Sequence, residues 1–130
     1  MSAPVFGAVA PQFVVSDLEA TARYYRDTLG FDITDRFLDP PVHIIMTRGY
    51  VQIFLARATG EAGRSNRRRL DVGIDAYIRV EGVRALAREL RARGATILEG
   101  PVRRVYDQEE LVVEDCNGFV LVFGEAAPPN

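Results

Sequence analysis

One short pattern occurs twice in this sequence, and it limits the possible folds more than any other feature. A glycine is followed by an aromatic residue, a valine, any residue, a β-branched residue and a phenylalanine at residues 49–54 and again at residues 118–123. Such a repeat indicates two structural modules of similar length. We place the first module at about residues 8–57 and the second at about residues 72–125. They are joined by a linker over residues 58–71 that is rich in Gly, Ser, Asn and Arg, and we interpret this linker as a mobile surface segment.

The first module is predicted to begin with a strand that leads into a helix. Ser16 and Glu19 have the spacing of a capping box, and apolar residues then recur at helical intervals as far as Gly30. Further strands are predicted to follow, ending with the strand that contains the repeated pattern.

The second module has the same predicted order. An alternating strand at residues 74–80 precedes a helix that begins near Val83 and that Gly94 ends. The two modules together predict an α+β fold of two tandem βαβββ modules, whose curved mixed sheets form a cup. A length of 130 residues favours one domain over residues 1–130.

Composition excludes several classes of protein. The 16 basic and 18 acidic residues give a net charge of -2, which disfavours nucleic acid as a partner. No apolar run approaches the roughly 20 residues of a membrane span, and residues 1–10 lack the basic start of a secretory signal, so we expect a cytoplasmic protein without membrane contact. Every basic residue is arginine, which excludes lysine Schiff-base chemistry.

Alternation along the strands separates side chains that face the helices from those that face away. In the first module, Gln12, Gln52 and Phe54 are predicted to face away. In the second module, Asp75 and Tyr77 are predicted to do the same. If the two sheets join edge to edge, these side chains line one hollow.

Two motifs resemble a known family. Residues 15–19, followed by residues 24–31, resemble the opening of the vicinal-oxygen-chelate superfamily, which holds glyoxalases, extradiol dioxygenases and bleomycin-resistance proteins. Residues 114–119 resemble its late Asp-Pro-x-Gly turn, with Cys116 in place of the proline. The resemblance implies paired βαβββ modules whose cup is commonly completed by a second subunit, so we expect a homodimer.

The resemblance also permits a test for a metal site. Metal-dependent members use four positions on the first and last strands of the modules to hold one divalent ion. By the family spacing these positions fall at Ala10, Asp75, Val122 and Phe54, or Ile53 if the register slips by one. Three of the four are apolar, and one carboxylate cannot hold a catalytic metal. We therefore expect no metal, no other cofactor and no catalytic residue.

Two further side chains could be considered as metal ligands. Gln52 would reach the site only after a slip that exposes Ile53. His43, the only histidine, has no visible catalytic partner, so we interpret it as solvent-facing or bonded to the backbone.

In more detail, the sequence resembles the non-metal, bleomycin-resistance-like branch. Pro11 lies where those proteins carry a proline, near the start of an exchanged first strand, and Tyr106 lies on a loop that touches ligand, with Asp107 in place of the usual glycine. The resemblance implies aromatic walls for a flat ligand and carboxylates that attract a cationic group. The predicted ligand-binding residues are Gln12, Gln52, Phe54, Asp75, Tyr77, Tyr106 and Glu110.

Three functions remain open from the sequence. The first is sequestration of an aromatic or amphiphilic small molecule without a metal. The second is a metal-dependent or acid/base lyase, isomerase or dioxygenase of the same superfamily, with Asp75 or Glu110 as general base. The third is an accessory domain whose aromatic residues fill its own cup and whose Asp75 pairs with Arg79. We interpret residues 67–69, all arginine, as a solvated linker surface.

Overall fold

The structure, a computed structural model, describes residues 2–129 and contains the same supersecondary unit twice. In each unit a strand and a helix precede three antiparallel strands, and a short 3-10 helix lies between the units. The elements are β1 (Gln12–Val15), α1 (Leu18–Asp27), β2 (Asp32–Phe37), β3 (His43–Arg48), β4 (Val51–Arg57), the 3-10 helix (Asn66–Arg68), β5 (Ala76–Arg79), α2 (Val83–Ala92), β6 (Thr96–Arg103), β7 (Gln108–Glu114) and β8 (Val120–Ala126).

The strands form two four-stranded sheets with the same topology. Their orders are β1-β4-β3-β2 and β5-β8-β7-β6, and in each sheet the first strand of the module pairs parallel to the last. The remaining pairs are antiparallel. This confirms the predicted α+β fold of two tandem βαβββ modules.

One hydrophobic core extends through both modules. Side chains of α1 such as Tyr25, side chains of α2 such as Leu90, and the helix-facing residues of both sheets belong to a single cluster. Burying one large apolar side chain contributes ~1.5–3 kcal/mol, so this shared core holds the modules together. Within residues 2–129, neither α1 nor α2 has the length and apolarity to cross a bilayer.

Helix α1 begins one residue later than the capping box predicts. Asp17 is the N-cap, and its Oδ1 accepts a hydrogen bond of 3.0 Å from the Ala20 amide. Glu19 instead forms an ion pair with Arg36 of β2. Aspartate is as good an N-cap as serine, so either position satisfies the free amides of the first turn.

The repeated pattern occupies different environments in the two modules. Ile53 of β4 faces the helices, whereas Val122, at the matching position of the pattern, faces away from them in β8. Tyr50 is 99% exposed, while Phe119 is 5% exposed and its ring lies 4.4 Å from that of Phe13. The two copies are therefore one residue out of phase relative to the helices.

The linker is attached to both modules, which differs from our prediction of a mobile surface segment. The Gly63 amide donates to the Val14 carbonyl of the first module at 2.8 Å. Two residues later, Ser65 Oγ donates to Asp75 of the second module at 2.6 Å. Polar, glycine-rich composition predicted mobility, but it does not reveal hydrogen-bond partners that are distant in sequence.

Candidate functional site

A buried carboxylate lies on the face of the second sheet that points away from the helices. Glu110 of β7 is only 3% exposed, and three side chains donate to it. The Tyr77 hydroxyl lies 2.7 Å from Oε2, the Tyr106 hydroxyl lies 2.8 Å from both oxygens, and Arg104 Nε lies 2.9 Å from Oε1. The structure thus brings together three of the predicted residues, Tyr77, Tyr106 and Glu110. We call these three residues together with Arg104 the Glu110 cluster.

Arg104 was not predicted from the sequence. Its Nη1 and Nη2 donate to the two carboxylate oxygens of Glu99 at 3.0 and 2.8 Å, while its Nε donates to Glu110. The planar guanidinium matches this geometry because it presents several donors in one fixed plane. The sequence signal that could have identified Arg104 is its position between Glu99 of β6 and Glu110 of β7. The irregular register of this hairpin conceals that the three side chains meet.

A glycine makes room for the tyrosine on β5. Gly124 of β8 lies directly opposite Glu110 in the sheet. A Cβ at this position would lie 2.1 Å from the Tyr77 hydroxyl oxygen, far inside van der Waals contact. Any side chain here would therefore displace Tyr77 from Glu110.

The hydrogen bonds set the protonation states of the cluster. Burial raises the pKa of Glu110, but the bonds from Tyr77, Arg104 and Tyr106 outweigh it, and the net pKa is lowered. Burial and the bond to Glu110 raise the pKa of Tyr77 to about 12, and the same two causes raise the pKa of Tyr106. At neutral pH the cluster holds an ionised carboxylate and two protonated hydroxyls.

The rings of the cluster remain accessible although its carboxylate is buried. Tyr106 is 58% exposed and Tyr77 is 39% exposed. The Arg79 guanidinium carbon lies 5.8 Å from the centre of the Tyr77 ring, within cation–π range. Asp75 and Tyr77 also line a cleft of about 610 Å³, to which residues 8–11 contribute as well. Exposed aromatic faces beside a cleft can stack against a planar molecule.

Asp75 has a structural role in this arrangement. Its Oδ2 accepts from Ser65 Oγ at 2.6 Å and from the Val120 amide at 2.8 Å, and its Oδ1 accepts from the Asn66 amide at 2.8 Å. It therefore holds the linker rather than pairing with Arg79. Together with Gln12, it also lines a second cavity of about 290 Å³.

The other predicted residues lie on the first sheet. Phe54 contacts His43, with ring centres 5.5 Å apart, and His43 contacts Phe37 at the same separation. His43 thus lies between two aromatic rings and is half-buried, and our interpretation of it did not include these ring contacts. Gln52 is exposed on the same sheet, opposite Thr47 of β3. Of the predicted ligand-binding residues, Tyr77, Tyr106 and Glu110 are thus bonded together, Gln12 and Asp75 line one cavity, and Gln52 and Phe54 lie on the first sheet.

The positions expected to hold a metal do not fit one. Ala10, Phe54 and Val122 offer no donor atom, and both oxygens of Asp75 already accept hydrogen bonds from the protein. Among residues 2–129, no three His, Cys, Asp or Glu side chains converge as a metal site would require.

The family model described as Glyoxalase/Bleomycin resistance protein/Dioxygenase superfamily matches residues 7–123. The chain belongs to this superfamily, as the two βαβββ modules and the sequence motifs also indicate. A comparison with curated proteins finds no match.

Solved structures of similar fold cover nearly all of the chain. TnmS3, an antibiotic binding protein from Streptomyces sp. CB03234, is 16% identical with a TM-score of 0.75, and the match covers 97% of this chain and 100% of TnmS3. TioX from Micromonospora sp. ML1 is 15% identical with a TM-score of 0.73, over 93% and 99% of the two chains. A glyoxalase/bleomycin resistance protein/dioxygenase from Nocardioides is 18% identical with a TM-score of 0.68, over 100% and 88%. At these identities the similarity shows the fold.

Proposed function

We propose that this protein binds and sequesters an aromatic or amphiphilic small molecule without a metal, using the exposed rings of the Glu110 cluster. The observation that carries the proposal is a buried, ionised carboxylate that fixes two partly exposed tyrosines in place. Rings that are already immobilised lose little conformational freedom when a ligand stacks on them, which favours binding. The similarity in fold to a protein described as antibiotic binding supports natural-product antibiotics as the first class of ligand to test.

The same geometry favours binding over proton transfer. A general base works best when its pKa is close to the working pH and when an oxygen is free to accept a proton. Burial raises the pKa of Glu110, yet the donated hydrogen bonds lower it overall, and its two oxygens accept from three donor groups. Asp75 is similarly engaged by Ser65 and two backbone amides. Of the two carboxylates named as alternative catalytic bases, Glu110 thus holds the side chains of its cluster in place and Asp75 holds the linker.

We also propose that the functional form is a homodimer. Residues 2–10, which lie outside the helices and strands, carry Val5, Phe6 and Val9, each more than 90% exposed. Apolar side chains this accessible gain free energy when a second surface covers them. Analytical ultracentrifugation should give twice the mass of one chain, and a monomer at micromolar concentration would contradict this part of the proposal.

A thermal-shift screen of untagged protein tests the binding function. Bleomycins, other natural-product antibiotics and aromatic metabolites are the probes, because a ligand that binds only the folded state raises its melting temperature. For a compound that binds, Tyr106→Ala should weaken affinity about tenfold, the effect of losing ~1.4 kcal/mol of stacking. Val105→Ala is the matched control, since Val105 is the fully exposed neighbour outside the cluster. Equal affinity of wild type and Tyr106→Ala would place the ligand elsewhere.

Metal dependence is measured on the same protein. Binding should be unchanged after treatment with a chelator, and elemental analysis should find no stoichiometric metal. A tightly held divalent ion, or turnover of a bound compound, would favour the enzyme alternative. A complete lack of stabilisation across the screen would favour the accessory domain.

A further inference from the structure

Four arginines of the linker form no ion pair with an acidic residue among residues 2–129, and three of the four are exposed. Arg64, Arg68 and Arg69 are exposed, and none takes part in the eight ion pairs found among residues 2–129. Outside the linker, seven arginines form ion pairs with carboxylates, and five form none with the described residues: Arg23, Arg57, Arg79, Arg88 and Arg91. The linker therefore concentrates uncompensated positive charge in a chain whose net charge is -2.

These arginines surround two adjoining cavities. The cavities measure about 580 and 370 Å³, and both are lined by Arg64, Ser65 and Arg68, with Arg69 in the wall of the larger. Glu61 is the one acidic residue in either lining. A concave surface with excess positive charge attracts anions more strongly than the same charges on a convex one.

The backbone that carries the arginines is held in place. The Asn66 amide donates to Asp75 at 2.8 Å, and Asn66 Nδ2 donates to the Ile74 carbonyl at 2.8 Å. Gly73 packs so closely that an added Cβ would lie 2.7 Å from the Asn66 backbone. Such contacts fix the stretch before any ligand arrives, and this preorganisation lowers the cost of binding.

We propose that Arg64, Arg68 and Arg69 form a binding site for a phosphate group, either inorganic or carried by a nucleotide. A guanidinium presents paired N–H donors in a plane, and this arrangement matches two oxygens of one phosphate. The site lies in the linker and does not depend on the Glu110 cluster, so it goes beyond the binding function proposed above.

Calorimetric titration of the full-length chain with pyrophosphate at low salt tests the site. We expect saturable binding in wild type and at least a tenfold loss in the double variant Arg64→Gln, Arg68→Gln. The matched control is Arg23→Gln, Arg88→Gln, which removes the same charge from exposed arginines that form no ion pair with the described residues. Its affinity should equal that of wild type.

The outcomes separate a local site from general attraction. Equal loss in both double variants, or no binding by wild type, would overturn the proposal. Tighter binding of ADP than of pyrophosphate, abolished by the linker variant, would support the site and identify a nucleotide as its ligand. The opposite order would support inorganic phosphate. Because Tyr106→Ala leaves the linker intact, it should retain pyrophosphate binding even if the binding function of the Glu110 cluster proves wrong.

Discussion

The two turns that precede the last strand of each module share a sequence pattern but differ in structure. Residues 49–50 form a short turn between β3 and β4, and Tyr50 projects fully into solvent. Residues 115–119 form a longer turn between β7 and β8, and Phe119 is buried against Phe13. In the longer turn, buried Asp115 accepts hydrogen bonds from the amides of Asn117 and Phe119. The length of the turn and its hydrogen bonds to Asp115 therefore decide whether the aromatic residue of the pattern is buried, as Phe119 is, or exposed, as Tyr50 is.

The largest expected difference between the turns is in stability. Phe119→Ala should lower the free energy of unfolding by about 3–5 kcal/mol, because it empties a stacked position in the core. Tyr50→Ala should leave it unchanged within experimental error, since the Tyr50 side chain contacts water. Urea unfolding of both variants measures the difference. Similar losses in the two variants would contradict the description of the turns.

A second comparison concerns neighbouring carboxylates on opposite faces of β7. Glu110 is surrounded by three donors, whereas Glu109 pairs with Arg84, whose side chain is 65% exposed. Glu110→Gln should cost about 2 kcal/mol of unfolding free energy, because it removes a buried charge that accepts charge-assisted hydrogen bonds. Glu109→Gln should cost less. Reversal of this order would show that the Glu110 cluster contributes little to stability.

The effect of Glu110→Gln should also depend on pH. The hydrogen bonds keep the folded-state pKa of Glu110 low despite its burial. The ionised carboxylate therefore makes its full contribution to the free energy of unfolding above about pH 4.3, the ordinary pKa of glutamate. It is lost as the pH falls through the lower folded-state pKa. The stability gap between wild type and variant should therefore narrow on acidification. A gap that is constant from pH 7 to pH 3 would contradict the lowered pKa.

The smallest predicted effect tests the space beside Tyr77. Gly124→Ala should cost about 1 kcal/mol, at the lower end for overpacking, because the partly exposed Tyr77 ring can move outwards. The move would break the bond to Glu110 and raise the pKa of that carboxyl, which carbon-13 NMR of the carboxylate measures. Gly60→Ala is the control, since no atom lies within 4 Å of the position of its added Cβ. An unchanged Glu110 titration in Gly124→Ala would exclude this role for the glycine.

Most of the fold was predictable because local signals agreed with one another. Apolar periodicity marked both helices, alternation separated Phe13 from Gln12 and Ile53 from Gln52, and the repeated pattern identified two modules even though its copies differ in phase. The helix boundary at Asp17 was missed by one residue, as competing cap residues lie side by side.

Much less of the candidate site could be predicted. Its geometry depends on pairings between residues that are distant in sequence, such as Tyr77 with Glu110 and Asp75 with Ser65. Arg104 lies in the β6–β7 turn, and the two register shifts in this hairpin prevent a simple count along the strands from pairing it with Glu110. Alternation indicates the face on which a side chain lies, but it does not indicate the hydrogen-bond partner that the side chain finds there.

The attachment of the linker limits how two chains can exchange parts. Gly63 is bonded to the first module and Ser65 to the second, so a single residue separates the two anchors. Gly63 and Ser65 are two residues apart and span at most ~7 Å of extended chain, so the segment between the anchors is too short to let one module move away from the other while both anchors hold. Exchange of a whole module between two copies would therefore have to break at least one of these two hydrogen bonds first.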